Sequence, residues 1–351
     1  MCLSTQQSKR VSMNRTAIIL AFFSITALSA NTEPILPFAL SRTIPLPGVT
    51  GHFDHLAIDA AANRLFIASP GYHSVEVVDL KTDTLQQSIS GLGKPHGLAW
   101  VAATGSLYIS DGTLGELRVY KGTPLALAGK IKLSDDADDM AYDGASHLLF
   151  VGHGGSNVAS PAKIAVVDTD HFILVANPAV AAHPEGINVD PEGARVFANV
   201  AGSNEVAVIG TATKAIAARW KLTKAADNVP LAFDSEHHLL YVACRTPGTL
   251  LALDAGTGVE VASEPTAGQV DDLFYDPALR RVYVISGAGE VDTFQVNNGT
   301  SLRPLGVLRT AVGAKTALFV PGQSLLYVGV PAVSGHSAEI RVYSTLKGGA
   351  N

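Results

Sequence analysis

The sequence predicts an all-β chain folded as a seven-bladed β-propeller of four-stranded blades. Two observations carry this: a repeat of roughly 42 residues, and a composition that favours short strands and turns over long charged helices. The repeat is anchored by an apolar–aromatic pair: Leu65-Phe66, Leu107-Tyr108, Leu149-Phe150, Val196-Phe197, Leu240-Tyr241, Val282-Tyr283 and Leu326-Tyr327. The aromatics are 42, 42, 47, 44, 42 and 44 residues apart, so seven copies fill the chain after its first forty residues. Only 16% of residues are charged, against 33 glycines and 18 prolines, while 47% hydrophobic content supplies a core.

Each copy reads the same way. In the first, HLAID is a short apolar strand, a turn rich in Ala and Asn follows, RLFIAS is a second strand and VEVVDL a third, and the more polar LQQSIS completes the blade. Four short strands with period-two alternation in 40 to 45 residues fit a propeller blade. A helical solenoid would need 3.6-residue periodicity and a (β/α)8 barrel about eight amphipathic helices, and the sequence has neither pattern. The seventh copy stops after its third strand, EIRVYSTL, while LSRTIPL at residues 40–46 stands spare before the first. Pairing the spare strand into the last blade closes the ring and removes an open sheet edge.

Residues 1–30 differ in kind. Lys9, Arg10 and Arg15 precede an uncharged run from Thr16 to Leu28, then the small residues Ser29 and Ala30. This is the pattern of a secretory signal, with an apolar core too short to span a bilayer; Met13 is an alternative start that keeps the whole run. The expected organisation is a signal peptide over 1–30 and a single propeller domain over 31–351, exported to a periplasmic or extracellular compartment, with no membrane span and as a monomer. Without the leader Lys plus Arg falls from 25 to 22 against 31 acids, so the formal charge moves from −6 to −9, which does not suit a nucleic-acid backbone. Cys2 leaves with the leader. Cys244 is then the only thiol, no intramolecular disulfide can form, and a lone thiol at a strand end reads as a small hydrophobe.

The stretches DPEGARVFANV, HLLYVACR, RRVYVISG and SLLYVGVP, with strand ends VVDL and VVDT, make the chain resemble the YVTN-repeat, YncE-like seven-bladed propellers. The resemblance covers roughly residues 40–346 and rests on blade-building positions. It implies an exported propeller that binds a ligand or a macromolecule; related propellers include lactonases and cofactor-bearing oxidoreductases. Fold alone does not choose among these.

The chemistry is in the register. Twelve positions before each aromatic stand Asp54, His96, Asp138, Glu185, Val229, Asp271 and Lys315. The first strand of a blade lines the central channel, so these positions form one ring near its mouth, and six of the seven are ionisable. The end of the second strand lies on the same face and adds Asp111, His153, Cys244 and Arg245; His52, Lys94, Asp136, His183 and Asp227 sit two residues before the ring. Longer connections on that face, HGGSNVASP in copy three and VPAVSGHSA in copy seven, suit a lid, a recognition loop or a tolerated surface insertion. Asp59, Asp143, Asp190, Asp234 and Asp276 fall instead in turns on the opposite face, where Asp bonds to nearby backbone. Asp79, Asp168 and Asp254 close third strands for the same reason, and His147, His171, His237 and His238 read as solvated turn residues.

The expected ligand-binding set is therefore Asp54, His96, Asp111, Asp138, His153, Glu185, Arg245, Asp271 and Lys315. Asp54, His96, Asp138 and Glu185 could hold a divalent metal, Ca²⁺ if oxygen donors dominate, Zn²⁺ or Mn²⁺ if imidazole takes part. Solvated charge around a water-filled mouth is the plain alternative. No nucleophile elbow, HExxH, CxxC, P-loop or dinucleotide fingerprint is present. This favours a binding module for a small-molecule or protein ligand over a metal-dependent hydrolase of a lactone or related ester, in which His96 or Glu185 would act as base.

Overall fold

Strands dominate the computed structural model, which describes residues 1–5, 37–190, 192, 195–297 and 301–347. The predicted leader, but for its first five residues, lies outside the described residues. The described residues from Pro37 onward belong to one compact unit. It holds seven four-stranded antiparallel sheets, the blades of a propeller. In six blades the strands follow chain order from the innermost outward. The innermost strands are Leu56–Asp59, Pro95–Val101, Met140–Asp143, Pro184–Val189, Ala226–Asp234, Val270–Asp276 and Ala317–Val320. Among the described residues no helix is long and apolar enough to cross a membrane.

The seventh blade is completed as its truncated sequence requires. Phe38–Pro45 runs antiparallel to Glu339–Thr345, from Phe38 opposite Thr345 to Pro45 opposite Glu339. Phe38 and Ile44 are buried while Leu40 is 56% exposed; the register shifts between Leu40 and Arg42, so the strand does not alternate regularly, and Phe38 and Ile44 enter different apolar clusters. Ile44 and Leu46 share one apolar cluster with Leu65 and Ile67 of blade one and Tyr327, Ile340 and Val342 of blade seven, so the closing strand is also the wedge between the first and last blades.

The seven anchoring aromatics are all fully buried, at 0–1% exposure. They pack between blades, as Phe66 does beside Leu98, Leu107 and Ile109 of blade two. The turn aspartates behave as their positions suggest. Asp59, Asp143, Asp190, Asp234 and Asp276 each accept a backbone N–H two or three residues on, at 2.9–3.1 Å. Cys244 is buried in the apolar cluster of blades four and five, where burial pushes its thiol up to about 12.

One irregularity of the innermost strands places the site. In blades one to six the residue two places after the aromatic faces two successive residues of the inner strand instead of one. Ser110 stands opposite His96-Gly97, and Asn199 opposite Glu185-Gly186. Ala68 accepts from Asp54 N at 2.9 Å and donates to His55 O at 3.0 Å, and Gly152 does the same with Asp138 and Asp139 at 2.9 and 3.0 Å. In blade six the ladder skips Asp271 between Val270 and Asp272. These are β-bulges, and a bulge breaks strict alternation so that neighbouring side chains reach one side.

Truncating Ile44→Ala is expected to cost about 2–5 kcal/mol, as for deletion of a fully buried aliphatic side chain, and Leu40→Ala on the same strand under about 0.5 kcal/mol. Urea midpoints of the two variants check this; equal losses would show that the strand is not the buried seam described.

Candidate functional site

The central channel holds a cavity of about 440 Å³ whose walls come from all seven innermost strands. All seven ring positions line it: Asp54, His96, Asp138, Glu185, Val229, Asp271 and Lys315. The bulges add a second tier that period-two reasoning misses, because His55, Asp139 and Asp272 follow their ring neighbours directly and line the same cavity. Beneath them Leu56, Leu98, Met140, Ile187, Leu231 and Leu273 form an apolar collar, each at most 7% exposed.

The acidic half belongs to blades one to four. Asp54 Oδ2 lies 2.6 Å from His96 Nδ1, and Asp138 Oδ1 lies 3.7 Å from the same nitrogen. Burial would raise the pKa of Asp54, but the hydrogen bond from His96 and the charges of His55, His96 and Lys315 outweigh it and hold this carboxyl far below the usual range. Burial likewise opposes charge on His96, and the bond to Asp54 with the charge of Asp138 raises it nonetheless. Nε2 of His96 is buried without a partner among the described residues. It is shut in beneath Gly112, where a Cβ would fall only 3.0 Å away.

His183 lies two residues before Glu185 and has the more available imidazole. Its Nδ1 lies 2.7 Å from the carbonyl oxygen of Gly154 and Nε2 lies 3.4 Å from Asp138 Oδ2. The long loop of blade three supplies that carbonyl. Gly154 and Gly155 both have positive φ, +75° and +90°, and a Cβ on Gly155 would meet His183 N at 2.7 Å, so the loop packs directly on the histidine. Ser156, Asn157 and Ser160 all bond to Asp135, which makes this segment an anchored support. Burial acts against a charged His183, yet Asp138 and the Gly154 carbonyl raise it to about 9. Glu185 accepts no hydrogen bond from any described residue. Burial and the negative charge of Asp138 push it up to about 7, so it changes charge near neutrality.

The basic half belongs to blades five to seven. Arg245 Nη2 and Lys315 Nζ each lie 2.5 Å from a different oxygen of Asp271. Between the halves and in the second tier sits His55, with Nε2 at 3.7 Å from Asp54 and 3.8 Å from Asp139, and Nδ1 at 3.5 Å from Asp272. Burial opposes its charge, but Asp139, Asp272 and Asp54 raise it well above its ordinary value. Asp139 and Asp272 also accept the backbone N–H of Ile187 and Ala317 at 2.8 and 2.7 Å, each tying its blade to the next. Burial lifts Asp139 to about 6 against the pull of His55.

Two residues of the expected ligand-binding set stand apart from the cavity. Asp111 is fully buried and its carboxylate accepts the backbone N–H groups of Gly93, Lys94 and Leu114 at 2.7–3.0 Å, a staple of the loop before the second blade. His153 accepts the N–H of Ser134 at Nδ1, 3.1 Å, and its Nε2 lies 2.9 Å from Asn177 Oδ1, while burial lowers its pKa; it is a neutral structural imidazole. His52 and Lys94 are exposed, and neither lines the cavity; nor do Asp136, His183 and Asp227, though His183 reaches Asp138 at its rim.

No family model matches the chain, and no curated protein matches it. Solved structures share its architecture. A chain of the structure "Crystal Structure of Mitotic Checkpoint Complex" superposes with a TM-score of 0.72 at 13% identity, covering 95% of this chain and 100% of that one. A chain of "Kuenenia stuttgartiensis Hydrazine Synthase" does so with a TM-score of 0.70 at 16% identity, covering 80% of this chain and 93% of that one. At such identity the likeness shows the propeller fold and no activity.

Glu185 sets a pH dependence. Its folded pKa, about 7, lies above the ordinary 4.5. The folded state therefore keeps a proton that the unfolded chain releases, and stability falls as pH rises through that interval and levels off above it. Glu185→Gln is expected to match wild type at pH near 5 and to melt several degrees higher at pH near 8, by calorimetry in the presence of chelator. An equal difference at both pH values would remove the assignment.

Proposed function

We propose that the chain is an exported, YncE-like binding propeller whose central cavity takes up a small polar ligand, with a divalent cation on its acidic side. The carrying observation is the convergence of Asp138, His183 and Glu185, whose donor atoms lie within 4.8 Å of one another. The Gly154 carbonyl supports this reading, because an imidazole that gives its Nδ1–H to a backbone carbonyl presents Nε2 in the orientation used by metal-bound histidines. Asp54 and His96 form a second triad with Asp138, but Nδ1 of His96 is engaged by Asp54, so they serve as flanking support. One imidazole with two carboxylates suits Zn²⁺ or Mn²⁺ better than Ca²⁺. The YncE-like reading is supported by the repeat residues of the blades, and export by the leader pattern; the sequence has no signal for assembly beyond a monomer.

Calorimetric titration of chelator-treated protein with ZnCl₂, MnCl₂ and CaCl₂ tests the proposal. One equivalent of Zn²⁺ or Mn²⁺ is expected, binding more tightly at pH 8 than at pH 6, because the ion must displace the proton that His183 holds up to about 9. Asp138→Asn combined with Glu185→Gln should weaken binding at least a hundredfold. No saturable binding by wild type would overturn the cation site.

A second reading, a metal-dependent hydrolase of a lactone or similar ester, is favoured by one feature: a carboxyl near pKa 7 beside Asp138 and His183, which would then hold a Lewis-acid cation without it, is suited to general-base work. Glu185 is then the base, since Nε2 of His96 is closed off beneath Gly112. A panel of lactones turned over by the Mn²⁺- or Zn²⁺-loaded protein and lost in Glu185→Gln would establish it; absence of turnover leaves the binding module.

A further inference from the structure

The cavity is electrically two-sided, and its basic side has donors to spare. Arg245 and Lys315 share the single carboxylate of Asp271, so two fixed cations face one anion. The Lys315 ammonium makes no other hydrogen bond to a described residue. Arg245 directs Nε to the Val270 carbonyl at 2.9 Å and Nη2 to Asp271, leaving Nη1 unused among the described residues. Both side chains remain reachable, 32% and 34% exposed, at the wall of the cavity. Asp138 of blade three and Glu185 of blade four, whose carboxyl oxygens can accept hydrogen bonds, line the same cavity, with the apolar collar below.

We infer that the ligand is a short aliphatic carboxylic acid bearing a hydroxyl or amino group at its other end. In the cation-free cavity its carboxylate bridges Arg245 and Lys315, its protic end faces Asp138 and Glu185, and its methylenes lie over Leu231, Leu273 and their neighbours. This rests on reading the cavity as a ligand site and specifies which chemistry fills it. A guanidinium and an ammonium held on the two oxygens of one carboxylate offer a second carboxylate a charge-assisted pair of bonds from the open side. A cavity of about 440 Å³ is of the size that encloses small ligands. Asp271 has a role in this scheme: it keeps the two cations in place when the cavity lacks an anion, and it competes with the ligand for them.

That competition gives a test with opposite signs. γ-Hydroxybutyrate, γ-aminobutyrate, butyrate, butanediol and inorganic phosphate are titrated into the chelator-treated full chain by ligand-observed NMR. The hydroxy and amino acids should bind, butyrate more weakly, butanediol and phosphate at least tenfold more weakly. Lys315→Met should weaken γ-hydroxybutyrate at least tenfold, whereas Asp271→Asn should tighten it about threefold or more by releasing both cations. A misfolded variant cannot bind more tightly, so Asp271→Asn guards against a trivial loss. Binding of the diol as tight as that of the acids, preference for phosphate, or loss of affinity in Asp271→Asn would each overturn the inference. Should Zn²⁺ or Mn²⁺ bind while no carboxylate does, the inference falls and the cation site stands; should neither bind, the reading of the cavity falls too.

Discussion

The backbone ladder between Phe38–Pro45 and Glu339–Thr345 is the interaction on which the remaining structure depends. Seven wedge-shaped sheets packed side by side leave two raw edges unless the ends of the chain meet, and an open edge carries unpaired N–H and C=O groups. Here the closing strand contributes both the missing ladder and the apolar side chains that fill the seam. Closure also fixes distances across the channel. Asp271 and Lys315, on blades six and seven, and Asp54 and His96, on blades one and two, approach within 2.6 Å or less only because the blades hold their angular positions.

Within that frame, charge is tolerated near the axis by local compensation. A buried carboxylate without a partner is costly, and a ring of them would repel. The structure interleaves the signs: Asp54 with His96, Asp138 with His183, Asp271 with Arg245 and Lys315, and His55 among Asp54, Asp139 and Asp272. Glu185 is the exception, held up to about 7 by burial and by Asp138. An exception of this kind in an otherwise paired ring is where a ligand or an ion would find an unsatisfied partner, and it stands on the side of the cavity that His183 and its anchored loop also serve.

Buried polarity away from the axis has a different purpose. Asp111 and His153 bind backbone amides and side-chain amides of connecting loops, and the turn aspartates do the same on the far face. A charged or imidazole side chain at a strand end is therefore not by itself a sign of chemistry. Asp111 and His153 spend their polar atoms on loop partners and stay out of the cavity lining, whereas Asp139 and Asp272 accept backbone N–H groups and still line it.

Much of this was legible in the amino-acid order. The aromatic spacing, the short fourth-strand segments and the spare strand near residue 40 determine seven blades and their closure, because each blade is a local unit whose strands are neighbours in sequence. The same spacing determines that Asp54, His96, Asp138, Glu185, Asp271 and Lys315 share one level. Tertiary structure alone decided the rest. Bulges turned His55, Asp139 and Asp272 toward the cavity, because an extra residue against the neighbouring strand breaks the alternation on which a sequence reading depends. Competition for hydrogen bonds took Asp111 and His153 out of the cavity lining and turned His183 toward Asp138, because such choices are made among groups that only folding brings within about 3 Å of each other.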